Sequence, residues 1–238
     1  MTDKGLHLEA IVTIDGPAGS GKSSVAREVA RRTGFTYVTT GAIYRAFALI
    51  LDETGASFKD PQAVNAAAAK LASTYHQDSA TGRVSLDGNE ITSAIKAPRM
   101  SERASVVAED AYVRQVLLPI QRAVVRACRG AVVDGRDMGT VVFPDAMLKI
   151  FLTASAAERA QRRIKELAAM GKSVDAAMLV AEIEARDARD MGRAVAPLKV
   201  ATDATVIDST GTDFETVVQQ ILELCRQKKL TVLPPIHG

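Results

Sequence analysis

The stretch Ala10-Ile-Val-Thr-Ile14-Asp15-Gly16-Pro17-Ala18-Gly19-Ser20-Gly21-Lys22-Ser23-Ser24 decides the fold. A short β-branched run closes on Asp15, the sequence G-x-x-x-x-G-K-S follows, and an amphipathic stretch from Ser24 to Arg32 opens directly behind it. Strand, glycine-rich turn and helix start, in that order, make a phosphate-binding loop. Glycines let the backbone wrap phosphates, and a helix N-terminus aims free N–H groups and partial positive charge at them. Lys22 is placed for the β- and γ-phosphates and Ser23 for Mg²⁺, so the expected phosphate-binding set runs from Gly16 to Ser24.

Outward from this loop, four more apolar runs join Ala10 to Ile14 as expected strands: Thr36 to Val38, Ala131 to Val133, Leu148 to Leu152, and Thr205 to Ile207. Stretches of helical period lie between them, including Ser155 to Met170, Asp175 to Arg189, and Asp213 to Lys228. Strands alternating with helices imply a parallel sheet covered on both faces. The expected class is therefore α/β: a five-stranded parallel sheet of the P-loop NTPase type.

Residues 60–129 break the alternation. An Ala-rich helix, Pro61 to Ala72, precedes turn signals at Ala80-Thr81-Gly82 and Asp87-Gly88. The alternation Arg83-Val84-Ser85-Leu86-Asp87 predicts a small antiparallel hairpin, and two further helical stretches follow. The chain is thus expected to form one unit, with a core of residues 1–59, 130–155 and 195–238, an insert of 60–129, and a helical lid of 156–194.

Composition narrows the chemistry. The 238 residues carry 30 Lys+Arg against 28 Asp+Glu, a net charge of +2, which argues against a nucleic-acid coat or a polybasic membrane binder. The three histidines, His7, His76 and His237, give a catalytic triad or a His-based metal site almost nothing to be built from. Cys128 and Cys225 match no metal or redox spacing and are expected to be inert thiols in a reducing compartment. No run of 18 apolar residues or signal-peptide core occurs, so a cytoplasmic protein is expected. Chemistry built on cations and backbone N–H groups remains, and phosphoryl transfer is its leading example.

A phosphate loop does not separate a small-molecule kinase from a regulatory switch, but a kinase needs a second anion site opposite the first. No N-K-x-D guanine element follows any strand. Three segments supply acceptor-side candidates. In Thr39-Thr40-Gly41-Ala-Ile-Tyr44-Arg45, Thr40 is the expected helix cap and Arg45 falls on the first turns. In Asp134-Gly135-Arg136-Asp137-Met138-Gly139-Thr140, at the carboxyl end of a strand, Asp134 suits the Mg²⁺ shell, and Arg136 and Asp137 suit a substrate's phosphate and base. In Arg186-Asp-Ala-Arg189-Asp190-Met-Gly-Arg193, positions 186, 190 and 193 share one face if the helix continues, as a lid whose arginines act on the transferring group. Arg31, Arg162 and Arg226 are expected to be ordinary surface charge.

These elements together resemble the bacterial cytidylate kinases, over nearly the whole chain. The carrying segments are Ile14 to Lys22, Gly41 to Arg45, Asp134-Gly-Arg-Asp-Met-Gly-Thr-Val-Val-Phe-Pro144, and Arg186-Asp187 through Arg193-Ala-Val-Ala-Pro-Leu198. The resemblance implies transfer of the γ-phosphoryl group of ATP, with Mg²⁺, to CMP and dCMP in pyrimidine nucleotide metabolism. It implies acceptor-phosphate contacts at Arg45, Arg136 and Arg193, ribose contacts at Arg186 and Asp190, and cytosine contacts at Asp137, Arg114 and Ser105, with Thr40 also at the CMP site. Lys22, Arg136, Arg189 and Arg193 are the expected catalytic set, Ser23 and Asp134 the metal set. Expected partners are ATP and CMP or dCMP, with no nucleic acid or membrane, in a monomer. The alternative is a kinase of the same fold acting on UMP, AMP or shikimate, or, from another class, a nucleotide-binding regulatory module. Two residues depart from the family pattern: Thr39 stands where an Asp is common, and Met191 where some relatives have a further Arg.

Overall fold

A computed structural model describes residues 10–78, 81–169, 171 and 174–230. Of the residues discussed above, His7, Ala80, Met170 and His237 lie outside that range. Strand β1 (Ile11–Asp15) is buried at every position because both its edges and both its faces are covered. After it come α1 (Lys22–Thr33), β2 (Thr36–Thr39) and α2 (Thr40–Thr54). The insert holds α3 (Pro61–Thr74), β3 (Tyr75–Gln77), β4 (Val84–Leu86), β5 (Asn89–Glu90), α4 (Thr92–Lys96), α5 (Pro98–Val107) and α6 (Ala111–Arg126). The chain then returns through β6 (Ala131–Gly135), a single π-helical turn (Met138–Val142), β7 (Leu148–Thr153), α7 (Ala156–Ala169), α8 (Ala176–Gly192), β8 (Thr205–Asp208) and α9 (Phe214–Gln227).

The main sheet has the order β2-β6-β1-β7-β8. Its pairings are all parallel, with Val12 opposite Val132 on one side and Leu148 on the other. All five expected strands occur, each one residue longer or more at its carboxyl end. Helices α1 and α9 cover one face, packing Val25, Val29, Val218 and Ile221 against Ile14, Ile150 and Leu152. On the other face Val38, Val125 and Val133 pack with Met138 and Val142 of the π turn. Both faces are sealed, which leaves the loops at the carboxyl ends of the strands as the exposed, reactive edge.

The insert has its own core, in which Val64, Leu71, Met100 and Leu117 pack against Ile43, Phe47 and Ile50 of α2. Its small sheet has three strands, β3-β4-β5, rather than the two of the expected hairpin. The β4–β5 connection is a two-residue turn at Asp87 (φ 50°) and Gly88 (φ 75°), so Asp87 lies in the turn and not on the strand. Three helices follow it, not two. Helices α7 and α8 form a separate pair sharing the buried side chains Ala160, Leu179 and Ile183. No helix among the described residues is long and apolar enough to cross a membrane. Cys128 and Cys225 are free thiols, and burial pushes Cys225 up to about 11.

Candidate active site

The phosphate loop turns tightly because Gly16 has φ +149°, and a Cβ there would lie 2.0 Å from the Leu152 carbonyl oxygen on β7. Only glycine fits so close a backbone approach. Lys22, at the start of α1, folds its ammonium back to donate to the Pro17 carbonyl at 2.6 Å. Burial holds Lys22 well below the usual ammonium range, with Arg136 pushing the same way. Ser23 donates to Asp134 Oδ2 at 2.6 Å, and Tyr37 donates to Asp134 Oδ1 at 3.2 Å.

Thr40 does not cap α2. The cap position is Thr39, which makes no side-chain cap bond, and Thr40 instead donates to the Asp134 carbonyl at 3.0 Å. The phosphate loop, β2 and β6 thus meet at one carboxylate.

Around this corner lies a set of buried guanidinium groups. Arg136 donates to Asp190 Oδ2 at 2.7 Å, and Arg193 pairs with the other oxygen of the same carboxylate. Burial pushes the Asp190 carboxyl up, but Arg136 and Arg193 outweigh it and the group sits below the usual carboxylate range. The helix expected to carry positions 186, 190 and 193 ends at Gly192, and Arg193 (ψ 135°) reaches Asp190 from the extended residue beyond it. Arg45 on α2, Arg186 on α8 and Arg193 are half-buried, and the Nε of each is fully buried without a partner. Burial, reinforced by Arg136, lowers Arg186 to about 10. Arg189, on the same helix, makes no hydrogen bond or ion pair among the described residues. So many cations with free N–H groups in a low-dielectric pocket call for a polyanion to complete them.

Next to the arginines is a smaller corner suited to an uncharged edge. Asp137 and Arg114, both almost fully buried, form an ion pair there. The Tyr44 hydroxyl is buried beside this pair without a partner, and on α5 the Ser105 hydroxyl is likewise buried and unpartnered. The Arg114 guanidinium lies 5.7 Å from the Tyr44 ring centroid, and burial pushes the Tyr44 phenol up to about 12. A carboxylate that accepts, a guanidinium that donates and a free hydroxyl can together read a base with one amino group and one carbonyl.

Several contributing residues carried no motif. Arg162, expected on the surface, lies over the phosphate loop: it donates to Ser20 O at 3.4 Å, Ser209 Oγ at 3.1 Å and Ser209 O at 2.7 Å. Arg31 and Arg226 are surface residues paired with Glu28 and Glu223 as expected. Arg159 donates to Ala18 O at 2.9 Å and pairs with Asp187 at 2.6 Å, while Asp187 accepts from the Ala18 N–H at 3.3 Å. Asp15 accepts from Met138 N at 2.9 Å and Gly139 N at 2.8 Å, and burial pushes its carboxyl up to about 6 against the pull of those two N–H groups. The available signal was position: Arg159 and Arg162 fall on the first turns after β7, at the reactive edge of the sheet.

Ser23 and Asp134 set a hydroxyl and a carboxylate oxygen side by side at the mouth of the loop. Hard oxygen donors of this kind suit Mg²⁺, which takes few protein ligands and completes its shell with phosphate oxygens and water. No cluster of three or more His, Cys, Asp or Glu able to hold a metal occurs among the described residues.

The family model described as cytidylate kinase matches residues 12–227. The chain is 46% identical over 224 residues to the cytidylate kinase of Saccharophagus degradans, covering 94% of this chain and 100% of that one. It is 46% identical over 220 residues to the cytidylate kinase of Pseudomonas aeruginosa, covering 92% and 96% of the two chains. With the cytidylate kinase of Cupriavidus pinatubonensis it shares 44% identity over 213 residues, covering 90% and 94%.

Proposed function

This chain belongs to the cytidylate kinase family, and from that premise we propose which residues carry its reaction and which acceptors it takes. It transfers the γ-phosphoryl group of ATP to CMP; dCMP is the proposed second acceptor. The observation that carries the residue assignment is the convergence of Lys22, Arg45, Arg136, Arg186 and Arg193 beside the Arg114–Asp137 corner.

The phosphate loop from Gly16 to Ser24 binds the donor phosphates through its backbone N–H groups, with Lys22 swinging from the Pro17 carbonyl to the phosphate oxygens. Ser23 and Asp134 would hold Mg²⁺, which when bound would neutralise donor phosphate charge. Arg45, Arg136 and Arg193 hold the acceptor phosphate, Arg186 and Asp190 its ribose, and Asp137, Arg114 and Ser105 the cytosine. Thr40 fixes the Asp134 backbone at the meeting point of the two sites. The acceptor phosphate is ionised near neutral pH, so no strong base is needed. Rate enhancement comes from alignment and from charge neutralisation by Lys22, Arg136, Arg189 and Arg193. The helices of residues 156–194 act as a lid and residues 60–129 as the acceptor-binding insert.

A coupled ADP-release assay over a panel of acceptors, with ATP and Mg²⁺, tests the substrate assignment. CMP and dCMP are expected to turn over best, and preferred turnover of UMP, AMP or shikimate would refute it.

A further inference from the structure

Met138 and Gly139 open the π turn, and the N–H groups that start any helical turn have no carbonyl of their own to meet. Asp137 occupies the cap position, and Asp is among the residues best suited to capping. Its side chain nevertheless makes no cap bond and is directed at Arg114. The two N–H groups go instead to the two oxygens of Asp15, at the end of β1, at 2.9 and 2.8 Å. We propose that Asp15 is a positioning residue for base selection: it caps the turn from a neighbouring strand, so that the Asp137 carboxylate stays free for the acceptor's base.

Asp15 is 4% exposed, so water cannot substitute for either contact. Its two oxygens match two donors, whereas an Asn side chain has one acceptor and would leave one N–H facing its own amide group. With Asp15 altered, Asp137, which holds the cap position of the turn, could meet the unpaired N–H groups only by turning its carboxylate away from Arg114.

This inference rests on the reading that the site takes CMP, and wild-type turnover of CMP over UMP and AMP is therefore measured first; failure at that step refutes the reading of function, not of Asp15. The variants D15N, D137N and D15N/D137N are then compared for kcat/KM with CMP and with UMP. D15N is expected to lower the CMP-to-UMP preference about tenfold, with the ATP KM unchanged. The double variant is expected to be no less selective than D137N, because both changes disable one carboxylate. Additive losses of selectivity, or an equal rise in the KM of ATP and CMP, would overturn the proposal by assigning Asp15 a general structural role. If D15N does not fold, the same cycle with Asp15→Glu answers the question.

Discussion

Replacing Arg114 by Met removes one half of an ion pair whose side chains are 7% and 4% exposed. The surviving Asp137 carboxylate is left buried without its partner. Breaking a buried pair in this way costs about 3–5 kcal/mol, a large fraction of the roughly 5–15 kcal/mol by which a native protein is stable. The double variant R114M/D137L removes both charges of this pair and packs similar volume there, and exchanging both partners for apolar groups is close to neutral. Urea unfolding of the nucleotide-free protein, followed by circular dichroism, is therefore expected to show a strong loss for R114M that is largely recovered in the double variant. CMP turnover is expected to move differently, falling in the single variant and staying low in the double one. A loss below about 1 kcal/mol for R114M, as for an exposed pair, or a double variant no more stable than the single one, would refute the reasoning.

Three other outcomes are expected. Gly16→Ala brings a Cβ to 2.0 Å from a backbone oxygen at φ +149°, and strain of about 1–3 kcal/mol should weaken ATP binding about tenfold or more, measured by titration calorimetry. Arg162→Ala removes the donors to Ser20 and Ser209 and should raise the KM for ATP about tenfold while leaving the KM for CMP unchanged in steady-state kinetics. Asp15 has a folded pKa raised from 3.8 to about 6, so it stabilises the fold most below pH 3.8 and loses that contribution as pH rises through 6. The stability of the wild type relative to D15N should then fall by about 2.4 kcal/mol between pH 4 and pH 7 in urea unfolding, and a flat difference across that range would contradict the assignment.

The strands and the phosphate loop were legible because their signals are local: β-branched runs, glycine spacing and an amphipathic stretch opening at Ser24, two residues after the helix itself begins at Lys22. Arg45 and Arg136 stood out in motifs at strand ends and Arg186 and Arg193 in a late charged run, and the structure brings the four guanidinium groups into one corner. What stayed hidden depends on which strands become neighbours. Arg162 looks like any helix-surface cation until β7 is placed beside β1, which sets its helix over the phosphate loop. Asp15 meets the π turn only because β1 and β6 run in register from Ile11–Ala131 to Asp15–Gly135. The third strand of the insert, Asn89–Glu90, is too short for its alternation to stand out. Helix α8 stops before Arg193 at Gly192, a residue poorly suited to a helix interior.

The central position of β1 bears on how the protein is made. It is synthesised ahead of its two neighbours in the sheet, which at Ala131 and Leu148 follow only after the whole insert. Until then an apolar strand stands with both edges open, a form prone to pairing with other chains. The insert, whose helices pack on α2 through local contacts, can fold in the meantime and shorten the path that β6 must travel. Faults that slow insert folding should therefore appear as aggregation during synthesis well before they appear as lost activity in the finished enzyme.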